Sequence, residues 1–409
     1  MNFEPKNKKG SLLEKAFREK KKEATKGSLL EKAFREKKKE ATKEIKDFMA
    51  KLKKLKLNVF LGGSFAKDTW LEDDFDVDLY VKFPHKHRGE NISEMLQEKL
   101  KKFKYEKLKG SRDYFRIKEG KFVYEIVPVL EIKGKAENIT DCSLEHVKFV
   151  NKNVKNKNDV RKLKLFLKAN KLYGAESYLS GFSGYACELL IAYYKNFDNL
   201  LKNVAKFGEN KIIDVKKHYK NDRDVLNNLN ESKVSSLIII DPIDKKRNAS
   251  SAVSNENYER FKKLCKDYLR NPSEEYFKIK KFDIKEVNAD VVFVKHFDNE
   301  KRDGGKIMKV YNQVKFLLEK NEFEIEKSDF EVLDKGYLWF KFKDLKLSDK
   351  VKHYGPFSDD KENLLKFKEK WGNVKTEGKR SYVVIDRKFK DVKSISKFIE
   401  KEFKLTKLN

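Results

Sequence analysis

From Asp76 to Phe83 the chain alternates: Val77, Leu79, Val81 and Phe83 are apolar, with Asp76, Asp78 and Tyr80 between them. A period of two is the signature of a β-strand with one buried face, so this segment must lie on the surface of a core and present its polar set on the opposite side. Both carboxylates then share one face, about 7 Å apart along the strand. Upstream, Ala41, Ile45, Phe48, Met49 and Leu52 fall on one side of a helix, which we read as core, and Asn58 to Leu61 reads as a short strand. Gly62-Gly63-Ser64 then opens a short helix. The order is helix, strand, glycine turn, helix, strand.

Further along, Phe122 to Val129 mixes β-branched and aromatic residues as a strand does. From Asn158 the pattern turns helical. A helix capped by Asn158 or Asp159 is expected to run to about Lys171 and to be stopped by Gly174, and another from about Ser183 to Asn196. Leu237 to Ile240 is a buried-looking apolar run, and Ser254 to Arg270 is a helix ended by Asn271-Pro272. The remainder mixes strands (Asp290 to Val294, Tyr337 to Phe342, Tyr382 to Ile385) with helices Ile307 to Lys320 and Lys361 to Lys370. These shifts divide the chain into an N-terminal repeat (1–43), a first domain (44–155), a helical middle (156–272) and an α+β region (273–409).

The N-terminal part is an exact duplication. Lys9–Thr25 reads KGSLLEKAFREKKKEAT, and Lys26–Thr42 reads it again. Each copy opens with a capping-box pair, Ser11 with Glu14 and Ser28 with Glu31. Only the second copy continues in phase into the apolar face ending at Leu52, so the first is expected to be surplus.

With 39% hydrophobic and 12% aromatic residues the chain can bury several cores, and 95 Lys and Arg against 66 Asp and Glu give it a net charge of +29. Such an excess of cations points to a polyanion, and nucleic acid is the leading partner. Few Pro and Gly exclude collagen-like and low-complexity classes. The three cysteines, Cys142, Cys187 and Cys265, are too scattered for a zinc knuckle or a disulfide scaffold, and His85 and His87 are expected to be solvated rather than metal-bound. Neither a membrane span nor a signal core is visible; the expected location is the cytoplasm.

Two carboxylates on one strand face repel each other if left bare, so the pair Asp76 and Asp78 makes most sense around a divalent cation. Their hard oxygens suit Mg²⁺. About a dozen residues earlier, the Gly63-Ser64 turn opens a helix whose backbone N–H groups suit phosphate. Carboxylates, cation and phosphate together point to phosphoryl transfer.

The string Gly63-Ser64-Phe65-Ala66-Lys67-Asp68-Thr69-Trp70-Leu71, followed by Asp76-Val77-Asp78, resembles the signature of the polymerase-β-type nucleotidyltransferases. Its wording is closest to the archaeal, class I CCA-adding enzymes. Further family-like strings follow in order: Asn158-Asp159-Val160-Arg161, Tyr173-Gly174-Ala175-Glu176, Gly181-Phe182-Ser183-Gly184-Tyr185, Asp241-Pro242-Ile243-Asp244, His353-Tyr354-Gly355-Pro356 and Arg387-Lys388-Phe389. The resemblance thus covers the chain from about residue 44 to near its end. It implies an α+β, multi-domain fold: a polymerase-β-like nucleotidyltransferase head, a helical middle domain and an α+β C-terminal RNA-binding region.

The activity implied is template-independent addition of C, C and A to the 3′ end of tRNA from CTP and ATP. By position, Asp76, Asp78 and Glu125 are the implied catalytic, Mg²⁺-binding carboxylates. Glu125 stands where family members usually carry Asp, which moves the carboxylate by about an ångström, a shift of the size that can cost two decades in rate. Gly63, Ser64, Lys67, Thr69, His146, Lys164 and Tyr173 are the implied triphosphate contacts, and Arg247 the arginine that reads the base. Arg112-Asp113-Tyr114 replaces the usual His-Pro-Tyr and carries no assignment. Basic segments around Lys361 to Lys370 and Lys388 to Lys393 are expected to hold the tRNA acceptor stem and elbow by shape. A homodimer is left open. Two other readings compete: a related poly(A)-type tailing enzyme, separable by product length, and a catalytically inactive RNA-binding protein.

Overall fold

The computed structural model describes residues 38–71, 76–297 and 303–408. The first copy of the repeat and all but the end of the second lie outside them. Among the described residues the chain forms two compact units: one takes in the residues up to Ala175 together with Leu179–Ile279, the other Glu176–Tyr178 and the residues from Lys280 onward.

The first unit begins with helix α1 (38–54), which buries Ala41, Ile45, Phe48 and Leu52 as its periodicity requires. Strand β1 (Val59–Leu61), helix α2 (Gly63–Ala66) and strand β2 (Val77–Phe83) follow, then α3 (Ile92–Lys99), β3 (Glu106–Leu108), β4 (Tyr114–Glu119) and β5 (Phe122–Leu130). The strands make one mixed sheet in the order β1-β2-β5-β4-β3, with β2 and β5 parallel and the other pairs antiparallel. Along β2 burial alternates perfectly, with Val77, Leu79, Val81 and Phe83 facing the core. Helix α1 closes that core, its Phe48 ring stacked 4.1 Å from Tyr124 of β5.

The same unit continues with helices α4 (Ser143–Asn153), α5 (Lys157–Ala169), α6 (Gly184–Tyr194) and α7 (Phe197–Val204). Strand β6 (Lys211–Asp214), helix α8 (Asp222–Asn228), strand β7 (Leu237–Ile240) and helix α9 (Asn255–Arg270) complete it. The helices pack around Leu163, Phe166, Phe182, Leu189, Leu190 and Phe261. The apolar run Leu237–Ile240 is buried throughout and pairs in parallel with β6.

Helix α5 differs from its sequence expectation at both ends. It starts earlier because the Asn156 side chain accepts from the Asn158 amide, while Asp159 is drawn off to accept from Phe197 N at 3.2 Å. It stops at Ala169, well before Gly174. There Asn170 folds back to donate to Phe166 O and Tyr276 O, and Lys171 takes a left-handed φ of 56°.

The second unit contains β8 (Val291–Lys295), α10 (Gly304–Lys320), β9 (Ile325–Val332) and β10 (Gly336–Phe342). After them come β11 (Lys350–Phe357), α11 (Lys361–Trp371), β12 (Lys375–Glu377), β13 (Arg380–Asp386), α12 (Val392–Phe403) and β14 (Thr406–Leu408). The antiparallel sheet β14-β8-β10-β9 carries α10 and α12, with Val314, Leu318, Phe340, Ile395 and Ile399 in its core. A smaller sheet, β11-β13-β12, has α11 against it, and Gly355 is required there because a Cβ would meet the Phe367 ring at 2.6 Å. No helix among the described residues is long and apolar enough to cross a membrane.

Candidate active site

The parallel pairing of β2 and β5 puts Asp78 directly beside Glu125. Side chains of registered neighbours project from the same face, so these two carboxyls are close by construction, and Asp76 lies one strand repeat before Asp78. Burial and the neighbouring Glu125 push the Asp78 pKa up to about 7, against the pull of Lys67. Glu125 is likewise raised, first by burial and then opposed by its hydrogen bond from Arg116. Acidic groups kept costly to ionise by one another are what a divalent cation relieves, and the donors are hard oxygens. In that respect the residues fit such an ion. They do not converge on one point: among the described residues no three His, Cys, Asp or Glu side chains are gathered closely enough to hold a metal, and Glu125 is drawn toward Arg116 at 2.7 Å.

Beside this face runs the glycine turn. Gly62 N donates to Asp78 O at 2.8 Å, which brings the turn onto β2. Gly63 has φ +55°, and a Cβ there would lie 1.6 Å from Asp78 Oδ2. Only glycine serves at that position on both counts. The backbone opening α2 therefore abuts the carboxylate.

The rest of the signature faces the helices. Glu188, in α6, is fully buried; its Oε2 accepts from Lys67 Nζ at 2.7 Å and its Oε1 from Thr69 Oγ1 at 2.5 Å. Lys164 Nζ, from α5, lies 3.8 Å from the same carboxylate and donates to Thr69 O at 2.8 Å. Burial opposes the charge on Glu188, yet Lys67 and Lys164 hold its pKa below the ordinary value. One turn earlier on α5, Arg161 donates to Asp68 O and to Asp68 Oδ1, both at 2.6 Å. The turn is thus pinned from the middle helices by two cations and one anion.

Thr69 and Lys164 both lie against Glu188 in this structure. Both are buried side chains whose polar atoms are engaged by Glu188 and by backbone, because the apolar packing of α5 and α6 leaves them nowhere else to find partners. Tyr173 stands with Lys164 at the start of α6: a Cβ on Gly184 would lie 3.1 Å from its hydroxyl and 3.4 Å from Lys164 Nζ. Lys67 is different. Besides its bond to Glu188 it lines a cavity of about 220 Å³, together with Gly63, Tyr80, Thr140, Ser143, His146, Tyr185 and Arg247. Ser64, in the same helical turn, is half-buried. With Lys67 and Lys164 set against Glu188 alone, the cluster keeps an excess positive charge beside this cavity.

The opposite wall is built on Asp241, which is fully buried. Its Oδ2 accepts from Arg247 Nη1 at 2.6 Å and lies 3.0 Å from His146 Nε2, and its Oδ1 accepts from Tyr185 Oη at 3.3 Å and Ile243 N at 2.8 Å. Burial raises the Asp241 pKa, but His146, Ile243 N and Arg247 outweigh it and hold the carboxyl well below its ordinary range. Arg247 is thereby aimed, with one edge on Asp241 and its side chain still 34% exposed. His146 is spent on the wall, its ring 4.4 Å from that of Tyr185.

Arg112, which carried no assignment, is a strap. It pairs with Asp141 through Nη1 and also donates to Pro128 O at 3.2 Å, while Asp141 accepts from Leu130 N at 2.7 Å. This ties the segment holding Thr140 and Ser143 to the end of β5. Sequence reasoning also missed Glu188, Asp241, Arg161 and Arg116 as working residues: Glu188 meets Lys67, Arg161 meets Asp68 and Asp241 meets His146 across long sequence separations, and Arg116 meets Glu125 through strand register, while the short Asp241–Arg247 spacing alone does not show that Asp241 is buried. A larger cavity, about 710 Å³, lies between the far end of β5 and residues 243–246; neither it nor the smaller one is lined by Asp76, Asp78 or Glu125, and only the smaller one includes Gly63, which packs on Asp78.

Three family profiles match the chain: a nucleotidyltransferase domain over residues 42–142, the second domain of tRNA nucleotidyltransferase over 158–278, and the C-terminal domain of the CCA-adding enzyme over 305–407. A protein named CCA-adding enzyme from Nanoarchaeum equitans is 39% identical over 84% of this chain and 88% of its own length. Another of that name from Sulfurisphaera tokodaii is 36% identical over 60% of this chain and 59% of its own length. Among solved structures, the Cid1 poly (U) polymerase bound to Mg 3′-dATP matches with a TM-score of 0.46 at 15% identity, over 58% of this chain and 94% of that one.

Proposed function

The chain belongs to the CCA-adding enzymes, and from that premise we propose that the face bearing Asp76, Asp78 and Glu125 is where the 3′ end of tRNA meets CTP or ATP, with Mg²⁺ as the metal. It is a tRNA nucleotidyltransferase that adds CCA. The observation carrying our assignment of the site is that Lys67, Arg247 and the backbone of Gly63 open on one cavity, while Gly63 also packs on Asp78.

Nucleotidyl transfer joins the primer 3′ oxygen to the α-phosphorus and breaks the bond to the bridging oxygen, so pyrophosphate leaves. Divalent cations held by Asp76, Asp78 and Glu125 would neutralise phosphate charge and lower the pKa of the attacking hydroxyl. The remaining work falls to the chain. Gly63 lets phosphate approach the backbone, Ser64 and the Lys67 ammonium bind its oxygens, and Glu188, Lys164, Thr69 and Arg161 keep that turn in place. Tyr173 completes this support beside Lys164. Arg247, braced by Asp241, meets the acceptor edges of cytosine or adenine, and His146 and Tyr185 form the wall behind it. In the second unit, lysines of α11 and those from Lys388 to Lys393 hold the phosphates of the acceptor stem and elbow. The compartment we assign to this work is the cytoplasm.

Base reading is tested by Arg247→Ala. The preference for CTP and ATP over UTP and GTP should fall by about tenfold or more, since one planar set of donors is lost. Ser64→Ala should weaken all four alike. Equal loss for every nucleotide in the Arg247 variant refutes the base-reading role.

A further inference from the structure

Tyr80 follows Asp78 on the outward face of β2, one strand repeat further along. Sheet register sets it between Phe60 of β1 and Val127 of β5. Its ring lies against the glycine turn: a Cβ on Gly62 would meet Cε2 and Cδ2 of that ring, the latter at 2.5 Å. Gly62 is therefore needed for room, and a ring wedged between strand neighbours and backbone has little freedom to turn away. That fixes where the hydroxyl goes. It comes beside the Gly63 amide and the side chain of Ser143, the first residue of α4. Tyr80, Gly63, Ser143 and Lys67 line the same cavity of about 220 Å³.

The groups lining that cavity sort by chemistry. Around the Tyr80 hydroxyl stand donors suited to an anion: the Lys67 ammonium, the Ser143 hydroxyl and the backbone opening α2. Arg247 and the Tyr185 ring, which suit a base, belong instead to the wall built on Asp241. A phenol carries its proton at neutral pH and can accept from a backbone amide while donating its own hydrogen outward. We propose that Tyr80 is a further substrate-binding residue whose hydroxyl donates to a phosphoryl oxygen of the incoming nucleotide. This role rests on the cavity being the triphosphate site, and adds to it a neutral donor that the glycine turn itself positions.

Tyr80→Phe removes one oxygen and keeps the ring on Gly62, so the melting temperature should hold. The full-length protein is titrated calorimetrically with CTP, ATP and cytidine, in Mg²⁺ and without tRNA. Tyr80→Phe should weaken CTP and ATP alike by about tenfold or more, the usual effect of losing a hydrogen bond to a charged group, and leave cytidine unchanged. Contact with phosphate, as against bracing of Ser143, is read from CTP analogues carrying sulfur in place of single nonbridging oxygens. At the contacted oxygen the Tyr80→Phe loss should shrink about threefold or more, because the two changes remove the same bond. Undiminished CTP affinity in Tyr80→Phe, or the full loss with every analogue, overturns the role. Lys67→Ala tells which reading has failed: if it weakens CTP and Tyr80→Phe does not, only the role of Tyr80 falls. If neither variant weakens CTP, or the unsubstituted protein does not bind it, the triphosphate site falls as well.

Discussion

Replacing Asp78 by Asn is expected to cut CCA addition by about a thousandfold or more while tRNA binding survives. The carboxylate sits between the glycine turn and Glu125, and no neighbouring group can take over both of its contacts. Its effect on stability should go the other way. Because burial and Glu125 raise the Asp78 pKa from 3.8 to about 7, the folded chain binds more protons than the unfolded chain between those values. Stability contributed by this group therefore falls as pH rises from about 4 toward 7. At pH 8 without divalent cation, Asp78→Asn should melt no lower than the unsubstituted protein. A variant that is inactive because it unfolds would show a lowered melting temperature instead, and one that retains ordinary activity would remove Asp78 from the site.

Glu188→Ala should produce the largest loss of stability of any single change at the site. It strips the partner from Lys67 and Lys164, whose side chains are 11% and 2% exposed, and leaves Thr69 Oγ1 without its acceptor. Breaking a buried ion pair from one side costs about 3–5 kcal/mol. For a unit of this size that lowers the melting temperature by roughly 10 °C. The pH dependence has a defined sign: since the folded pKa lies below 4.5, the contribution is present at neutral pH and is lost as pH falls below that value. An unchanged melting temperature at pH 7 would contradict the role given to Glu188. Glu188→Gln keeps the shape and one acceptor for Lys67, so it should fall between the two.

The parts of the fold that are local in sequence could be read from it. Strand β2 is set by strict alternation over Val77–Phe83, and α9 by its periodicity and the Ser254 cap, so both emerge where the pattern puts them. The ends of α5 are harder to read: Asn156, Asn158 and Asp159 all suit a cap, and what decides between them, Asp159 accepting from Phe197 N, comes from another helix, while the bond from Asn170 to Tyr276 O reaches a distant segment. The site divides in the same way. Asp76 and Asp78 share a face by strand geometry alone, and Gly63 declares itself through the turn. Glu188 lies in the apolar run Gly184–Tyr194, and its partner Lys67 is 121 residues away in sequence. The run is apolar on every side, which marks Glu188 as buried, but nothing local names its partner. Thr69 and Lys164 show the same limit: their residue types suit phosphate, and the carboxylate they meet in the fold, Glu188, comes from a helix that their own sequence neighbourhood does not reveal. Arg116 depends on which residues of the β4–β5 hairpin face one another, and a shift of one residue would have turned it to the core.

The most direct test of the account is the product. The full-length protein is incubated with Mg²⁺, CTP, ATP and a tRNA ending before its CCA, and the 3′ ends are sequenced. Addition of C, C and A in that order, followed by arrest, is the predicted result; a homopolymeric tail of A or U, or an unextended tRNA, would contradict it.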